Sequence, residues 1–133
     1  MNITIIGASA GIGLETVKRG LERNHSITTL SRTNIGIEKN NKLKMILGDA
    51  TNKADLTNAI QNADAIIVTL GTGKQMKATS LFSDFAKLLL AIHQENRIAV
   101  PLIFVTGFGA GDSKNYVSWL VKLFLNSMLK DVY

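Results

Sequence analysis

Short runs rich in Ile and Val alternate along this chain with longer segments whose apolar residues recur at helical spacing. That alternation narrows the fold more than any other feature, because parallel strands need long crossovers between them. Residues 2–6 (NITII), 26–31 (SITTLS), 44–47 (KMIL), 65–70 (AIIVTL) and 101–106 (PLIFVT) read as strands. Residues 12–23 place Leu14, Val17 and Leu21 on one helical face. Asn52, with Asp55 three residues later, marks a helix start with a reciprocal cap, running to about residue 61. Residues 80–94 carry Leu81, Phe85, Leu88, Leu89 and Ile92 as a buried stripe, and a last helix is expected over 116–130. The polar, Asn-rich stretch 32–42 predicts a loop or a poor helix. The expected fold is α/β, a single doubly wound unit around a parallel sheet.

Composition bounds the function classes. The 133 residues suit one domain, and 46% hydrophobic with 19% charged residues is too apolar for disorder. No cysteine is present, which excludes a disulfide scaffold, a thiol nucleophile and a thiolate zinc site, and suits a reducing, cytoplasmic setting. The formal charge is +5, but no run of Lys and Arg reaches three, so a dedicated nucleic-acid surface is not expected. The apolar stretch 1–17 lacks a basic start and is interrupted by glycines, and 117–129 contains Lys122 and Asn126 and is too short to span a bilayer. Neither an export signal, an anchor nor a membrane partner is expected.

The chemistry concentrates where the first strand runs into Gly7-Ala8-Ser9-Ala10-Gly11-Ile12-Gly13 and a helix opens. A glycine-rich turn there lets backbone approach a pyrophosphate, whose charge the helix N-terminus favours. Gly7 permits the tight turn, Gly11 the close approach and Gly13 the packing of helix on sheet. The spacing G-x-x-x-G-x-G departs from the commoner G-x-G-x-x-G, so a purely structural turn is the competing reading. Ser31-Arg32 ends the second strand, nineteen residues after Gly13, and no Asp or Glu occurs between Arg23 and Ile37. A carboxylate at that place would accept the ribose 2′-hydroxyl of NAD; an arginine suits the 2′-phosphate, so NADP is expected over NAD.

Asp49, in Gly48-Asp49-Ala50, either accepts a hydrogen bond from an adenine amino group or caps the following helix. The stretch from Thr69 through Leu70, Gly71 and Thr72 to Gly73 passes beneath the cofactor's ribose on this reading. Lys74 does not complete a phosphate loop, since Val68 and Gln75 stand where Gly and Ser or Thr are required. Thr106 is the single candidate for orienting a substrate carbonyl, against a plain structural role; Phe108 either stacks on a flat substrate or closes the core. His25 and His93 have no partners at metal-ligand spacing, so no metal site is expected. Tyr116 and Lys122 are six apart and cannot act as an i, i+4 acid–base pair, while Trp119, Leu120, Leu123 and Phe124 read as a packing face.

Gly7-x-x-x-Gly11-x-Gly13, Arg32, Gly48–Ala50 and Val105–Gly111 (VTGFGAG) together resemble the atypical short-chain dehydrogenase/reductase superfamily, in its NAD(P)H-binding, NmrA-like branch with flavin and biliverdin reductases. The resemblance implies a Rossmann domain over residues 1–133, about five strands in the order 3-2-1-4-5 flanked by helices. It implies Gly7, Ser9, Ala10, Gly11, Ile12 and Gly13 around the pyrophosphate, Ser31 and Arg32 on the adenosine phosphate, and Asp49 and Ala50 at the adenine. Leu70, Gly71 and Thr72 would lie by the ribose and Thr106 near the nicotinamide. Members of this group reduce flavins, quinones or tetrapyrroles, or bind the cofactor as redox sensors without turnover. The family's Tyr-x-x-x-Lys pair is absent, because Tyr116 has Leu120 four residues on. Relatives also continue through a further strand and a substrate lobe, so the expectation is an open fifth-strand edge and self-association.

Overall fold

Ile5 and Ile6 are adjacent and both fully buried, which requires cover on both faces of the strand that carries them. The computed structural model provides that cover; it describes residues 1–71, 80–96, 99–106, 115, 116, 118 and 119. The chain order is β1 (Asn2–Ile6), α1 (Gly11–Glu22), β2 (Ser26–Ser31), β3 (Leu43–Leu47), α2 (Lys53–Ile60), β4 (Ala65–Val68), α3 (Leu81–Asn96) and β5 (Leu102–Phe104). All described pairings are parallel, in the order β3-β2-β1-β4-β5. The doubly wound parallel sheet expected from the alternation, in the Rossmann order that the resemblance implies, is the fold observed.

Side chains along each strand sort into two cores. On one face Ile6, Leu30, Ile66 and Val68 pack with Leu56 and Ile60 of α2 and with Phe85, Leu89 and Ile92 of α3. On the other, Ile5 and Ile27 pack with Val17 of α1. The stripe expected on α3 is buried at Phe85, Leu89 and Ile92, with Leu88 partly so. A Lys53–Glu95 ion pair at 2.7 Å ties α2 to α3 at the surface.

The crossover from β2 to β3 contains no helix. Ile35 from that loop is buried against the α1-side core, and Ile37 packs beside it, so an extended segment does the covering a helix usually does. Strand ends differ slightly from expectation. β4 stops at Val68 rather than 70 because β1 turns away at Gly7, leaving the Thr69 N–H bond to the Ile6 carbonyl (2.8 Å) as the last rung. β5 is shorter than 101–106 and is an edge among the described strands, with Leu102, Ile103 and Phe104 each about half exposed. Phe104 still meets Phe85 edge-on, ring centroids 6.5 Å apart. Tyr116 and Trp119 are largely exposed, so the packing role expected of Trp119 is not met. The rest of the expected last helix, with Leu120, Lys122, Leu123 and Phe124, lies outside the described residues, as do Lys74 and Phe108.

Candidate dinucleotide-binding site

The turn after β1 is built by three glycines doing different things. Gly7 takes φ +90° and donates its N–H to the Leu30 carbonyl at 2.9 Å. A β-carbon there would meet the Thr69 carbonyl oxygen at 2.7 Å, so both the backbone conformation and the space demand glycine. Gly13 is buried in the first turn of α1, and a β-carbon on it would lie 2.3 Å from the Gly7 carbonyl oxygen. It sets the close packing of helix on turn. Gly11 takes φ +54°, and a β-carbon there would meet nothing within 4 Å among the described residues, leaving its side of the turn open to a ligand.

α1 begins without a side-chain cap. Its N-cap, Ala10, is extended, and no acidic residue stands in the first turn. The first N–H groups of a helix have no intrahelical partner and carry the positive end of its dipole. By contrast, α2 is closed: Asn52 Oδ1 accepts from the Ala54 N–H at 2.9 Å and the Asp55 N–H at 3.2 Å. The helix behind the glycine turn, unlike α2, is therefore left able to receive an anion.

Beside the turn, the carboxyl ends of β1, β2, β3 and β4 enclose an open cleft. It is lined by Gly7, Ser9, Leu30, Ser31, Arg32, Gly48, Asp49, Ala50, Leu70, Gly71 and Leu81. Ser31 is buried and donates its hydroxyl to the Thr33 carbonyl at 2.8 Å, fixing the bend after β2. Arg32 is exposed and makes no ion pair within 4 Å among the described residues. Asp49 Oδ1 accepts from both the N–H and the hydroxyl of Thr51, each at 2.8 Å. Those bonds, the backbone one first, hold the Asp49 carboxyl below its ordinary range against a small desolvation effect, and Arg32 adds to the lowering.

Asn52 caps α2 as the sequence predicts, so the alternative of a cap by Asp49 is not met, and the reciprocal half of the cap needs correction: Asp55 does not reach back to the Asn52 N–H. Its Oδ2 instead accepts from the Asp49 N–H at 2.9 Å, while the Asn52 N–H bonds the Asp49 carbonyl at 2.9 Å. The turn after β3 is so tight that the acid finds the Asp49 amide first, and a β-carbon on Gly48 would lie 2.5 Å from Asp55 Oδ2.

Of the residues expected at the site, the cleft brings together Gly7, Ser9, Ser31, Arg32, Asp49, Ala50, Leu70 and Gly71. Ala10, Gly11, Ile12 and Gly13 sit at the adjoining helix start without lining it; Ile12 is 62% exposed. Thr106 is exposed just past β5 and does not line the cleft. Thr72 lies outside the described residues. Sequence reasoning did not foresee Leu30, Gly48 and Leu81 as wall residues, nor the bonds to the glycine turn made by Thr69, which it named only at the start of the ribose stretch. The Thr69 hydroxyl donates towards the Ile6 and Gly7 carbonyl oxygens at 3.1 Å each. The one available signal was a lone hydroxyl next to the end of an otherwise apolar run, AIIVTL.

Comparison with known proteins bears on this geometry. A family model described as NAD(P)H-binding matches residues 7–133, nearly the whole chain. The chain belongs to that NAD(P)H-binding family. The NAD(P)H-binding membership that its motifs imply is thereby met. Among solved structures it is similar to the anaerobillin reductase ChuY from Escherichia coli O157:H7, with TM-score 0.73, 19% identity, and coverage of 98% of this chain and 63% of that one. It is similar to a Rossmann-fold NAD(P)-binding family protein from Shigella flexneri, with TM-score 0.62 and 25% identity over 84% of this chain and 54% of that one. A wide-type short-chain dehydrogenase/reductase from Veillonella parvula, solved with NADP, matches at TM-score 0.62 and 24% identity, over 81% of this chain and 48% of that one. The chain thus spans about half to two-thirds of the length of these structures. Among the described residues no helix is long and apolar enough to cross a membrane, and no cluster of three metal-ligating side chains occurs.

Proposed function

We infer that this Rossmann domain works in an NAD(P)H-dependent oxidoreductase that prefers NADPH and reduces a flat, conjugated small molecule such as a flavin, a quinone or a tetrapyrrole. The observation that carries the reading is the uncapped start of α1, with the open side of Gly11, beside a cleft walled by Ser31 and Arg32. These residues fit a dinucleotide: unpaired helix amides for a diphosphate, and a guanidinium for a further phosphate.

In this reading the amides of residues 7–13 bind the diphosphate, with Ser9, Ala10 and Ile12 alongside. Arg32 and Ser31 hold the adenosine 2′-phosphate, and Asp49 and Ala50 edge the adenine. Asp49 keeps its charge over the working pH range, with Oδ1 committed to Thr51 and Oδ2 accepting no hydrogen bond among the described residues. Leu70, Gly71 and Thr72 flank the ribose, and Thr106 stands towards the nicotinamide. The bound cofactor supplies the hydride; the protein supplies orientation and exclusion of water. Likeness in fold to an anaerobillin reductase favours a tetrapyrrole-like acceptor, for which water or the acceptor itself supplies the proton.

A second reading, cofactor binding without turnover, is favoured by the missing acid pair, since Leu120 stands four residues after Tyr116. One experiment separates the two. Purified protein is mixed with NADPH and a panel of flavins, quinones and biliverdin while the nicotinamide absorbance is followed. Loss of absorbance with any acceptor supports the reductase; thermal stabilisation by NADPH without oxidation supports the sensor; neither overturns both.

A further inference from the structure

Thr69 sits one residue beyond β4, outside the cleft lining, yet it meets the glycine turn at Ile6, Gly7 and Gly13. Its backbone N–H donates to the Ile6 carbonyl at 2.8 Å. Its hydroxyl, with a single proton to give, is shared between the Ile6 and Gly7 carbonyl oxygens at 3.1 Å each. Its carbonyl oxygen lies where a β-carbon on Gly7 would come within 2.7 Å, and its Oγ1 where one on Gly13 would come within 2.5 Å. The Gly7–Ala8 peptide is therefore clamped between Thr69 and Gly13. In a planar trans peptide the C=O and the following N–H point in opposite directions. Holding the Gly7 carbonyl towards Thr69 thus holds the Ala8 N–H away from it.

We propose that Thr69 is a positioning residue for the diphosphate turn. Its hydroxyl fixes the Gly7–Ala8 peptide so that the turn's amides are aligned before a dinucleotide arrives. This rests on the dinucleotide reading above and adds to it a residue whose effect is confined to one part of the ligand. A hydroxyl serving only the β1–β4 junction would change stability and leave ligand discrimination alone. A hydroxyl serving the turn affects ligands that carry the diphosphate, and spares one that occupies only the Ser31, Arg32 and Asp49 end of the cleft.

The test uses calorimetric titration of the whole chain with NADPH and with adenosine 2′-phosphate, which lacks the diphosphate bridge. Thr69→Val keeps the shape and branching and removes the hydroxyl; Thr69→Ser keeps the hydroxyl. Thr69→Val is expected to weaken NADPH by about tenfold, the scale of one net hydrogen bond, and adenosine 2′-phosphate by less than about twofold. Thr69→Ser is expected to bind NADPH as the natural chain does. Thermal melts of each variant monitor folding, and Thr69→Ala replaces the valine variant if that one does not fold. Equal weakening of both ligands, or unchanged NADPH binding without the hydroxyl, overturns the role of Thr69 alone. A natural chain that binds neither NADPH nor NADH overturns the dinucleotide reading, and this inference with it.

Discussion

Gly13 lies so close beneath Gly7 that a β-carbon on it would approach the Gly7 carbonyl oxygen to 2.3 Å. Two of the three nearest atoms, the Gly7 carbonyl oxygen and the Ala8 Cα, are backbone and cannot swing aside, so Gly13→Ala must push α1 off the sheet. A loss of about 1–3 kcal/mol in stability is expected, measured by urea denaturation, with dinucleotide binding lost as well. Gly11→Ala meets no atom within 4 Å and has only its φ of +54° against it, so its cost is expected nearer 1 kcal/mol. Equal costs at the two positions would contradict this division of roles.

Thr29 is fully buried on β2, and its Oγ1 has no hydrogen-bond partner among the described residues. Thr29→Val has nearly the same shape and removes the unsatisfied hydroxyl. It is expected to raise stability by about 1 kcal/mol, seen as a higher urea midpoint with unchanged slope. A lower midpoint would mean that the hydroxyl is bonded after all.

Arg32 discriminates between cofactors only if it meets the phosphate that NADPH has and NADH lacks. Arg32→Ala is expected to weaken NADPH by about 10- to 100-fold, the worth of charge-assisted hydrogen bonds, and NADH far less. Titration with both nucleotides decides the matter, and equal weakening would remove the assignment.

The Asp49 carboxyl titrates below its ordinary value, chiefly through the Thr51 backbone N–H and hydroxyl. A folded-state pKa below the unfolded one contributes stability that is complete above the unfolded value. That contribution is lost as pH falls towards and through the folded value. The window therefore lies at and below about pH 4. Urea midpoints measured from neutral pH down into that window should fall less steeply for Asp49→Asn than for the natural chain. Parallel curves would show that these bonds do not couple to folding.

Strand positions and the site's glycines were legible because each rests on local pattern: a run such as AIIVTL between polar turns, or Gly7 and Gly11 where the backbone takes φ of +90° and +54°. The same is true of Arg32, whose place follows from where β2 ends. What was not legible depends on contacts across the fold. Asp55 serves the Asp49 amide instead of its own helix start, and only the tightness of the turn at Gly48 decides which. Thr69 acts on residues more than sixty positions away, and no spacing rule connects them. Ile35 looked like part of a polar loop, yet it is 4% exposed because the crossover has no helix to fill the α1-side core.

That helix-free crossover carries a consequence for how such a domain diversifies. The segment following Arg32 is moored to the body chiefly by Ile35 and Ile37, so its intervening positions can be rewritten without repacking an amphipathic surface. Under the dinucleotide reading proposed above, nucleotide preference then rides on an exchangeable strap and can change without disturbing the packed sheet.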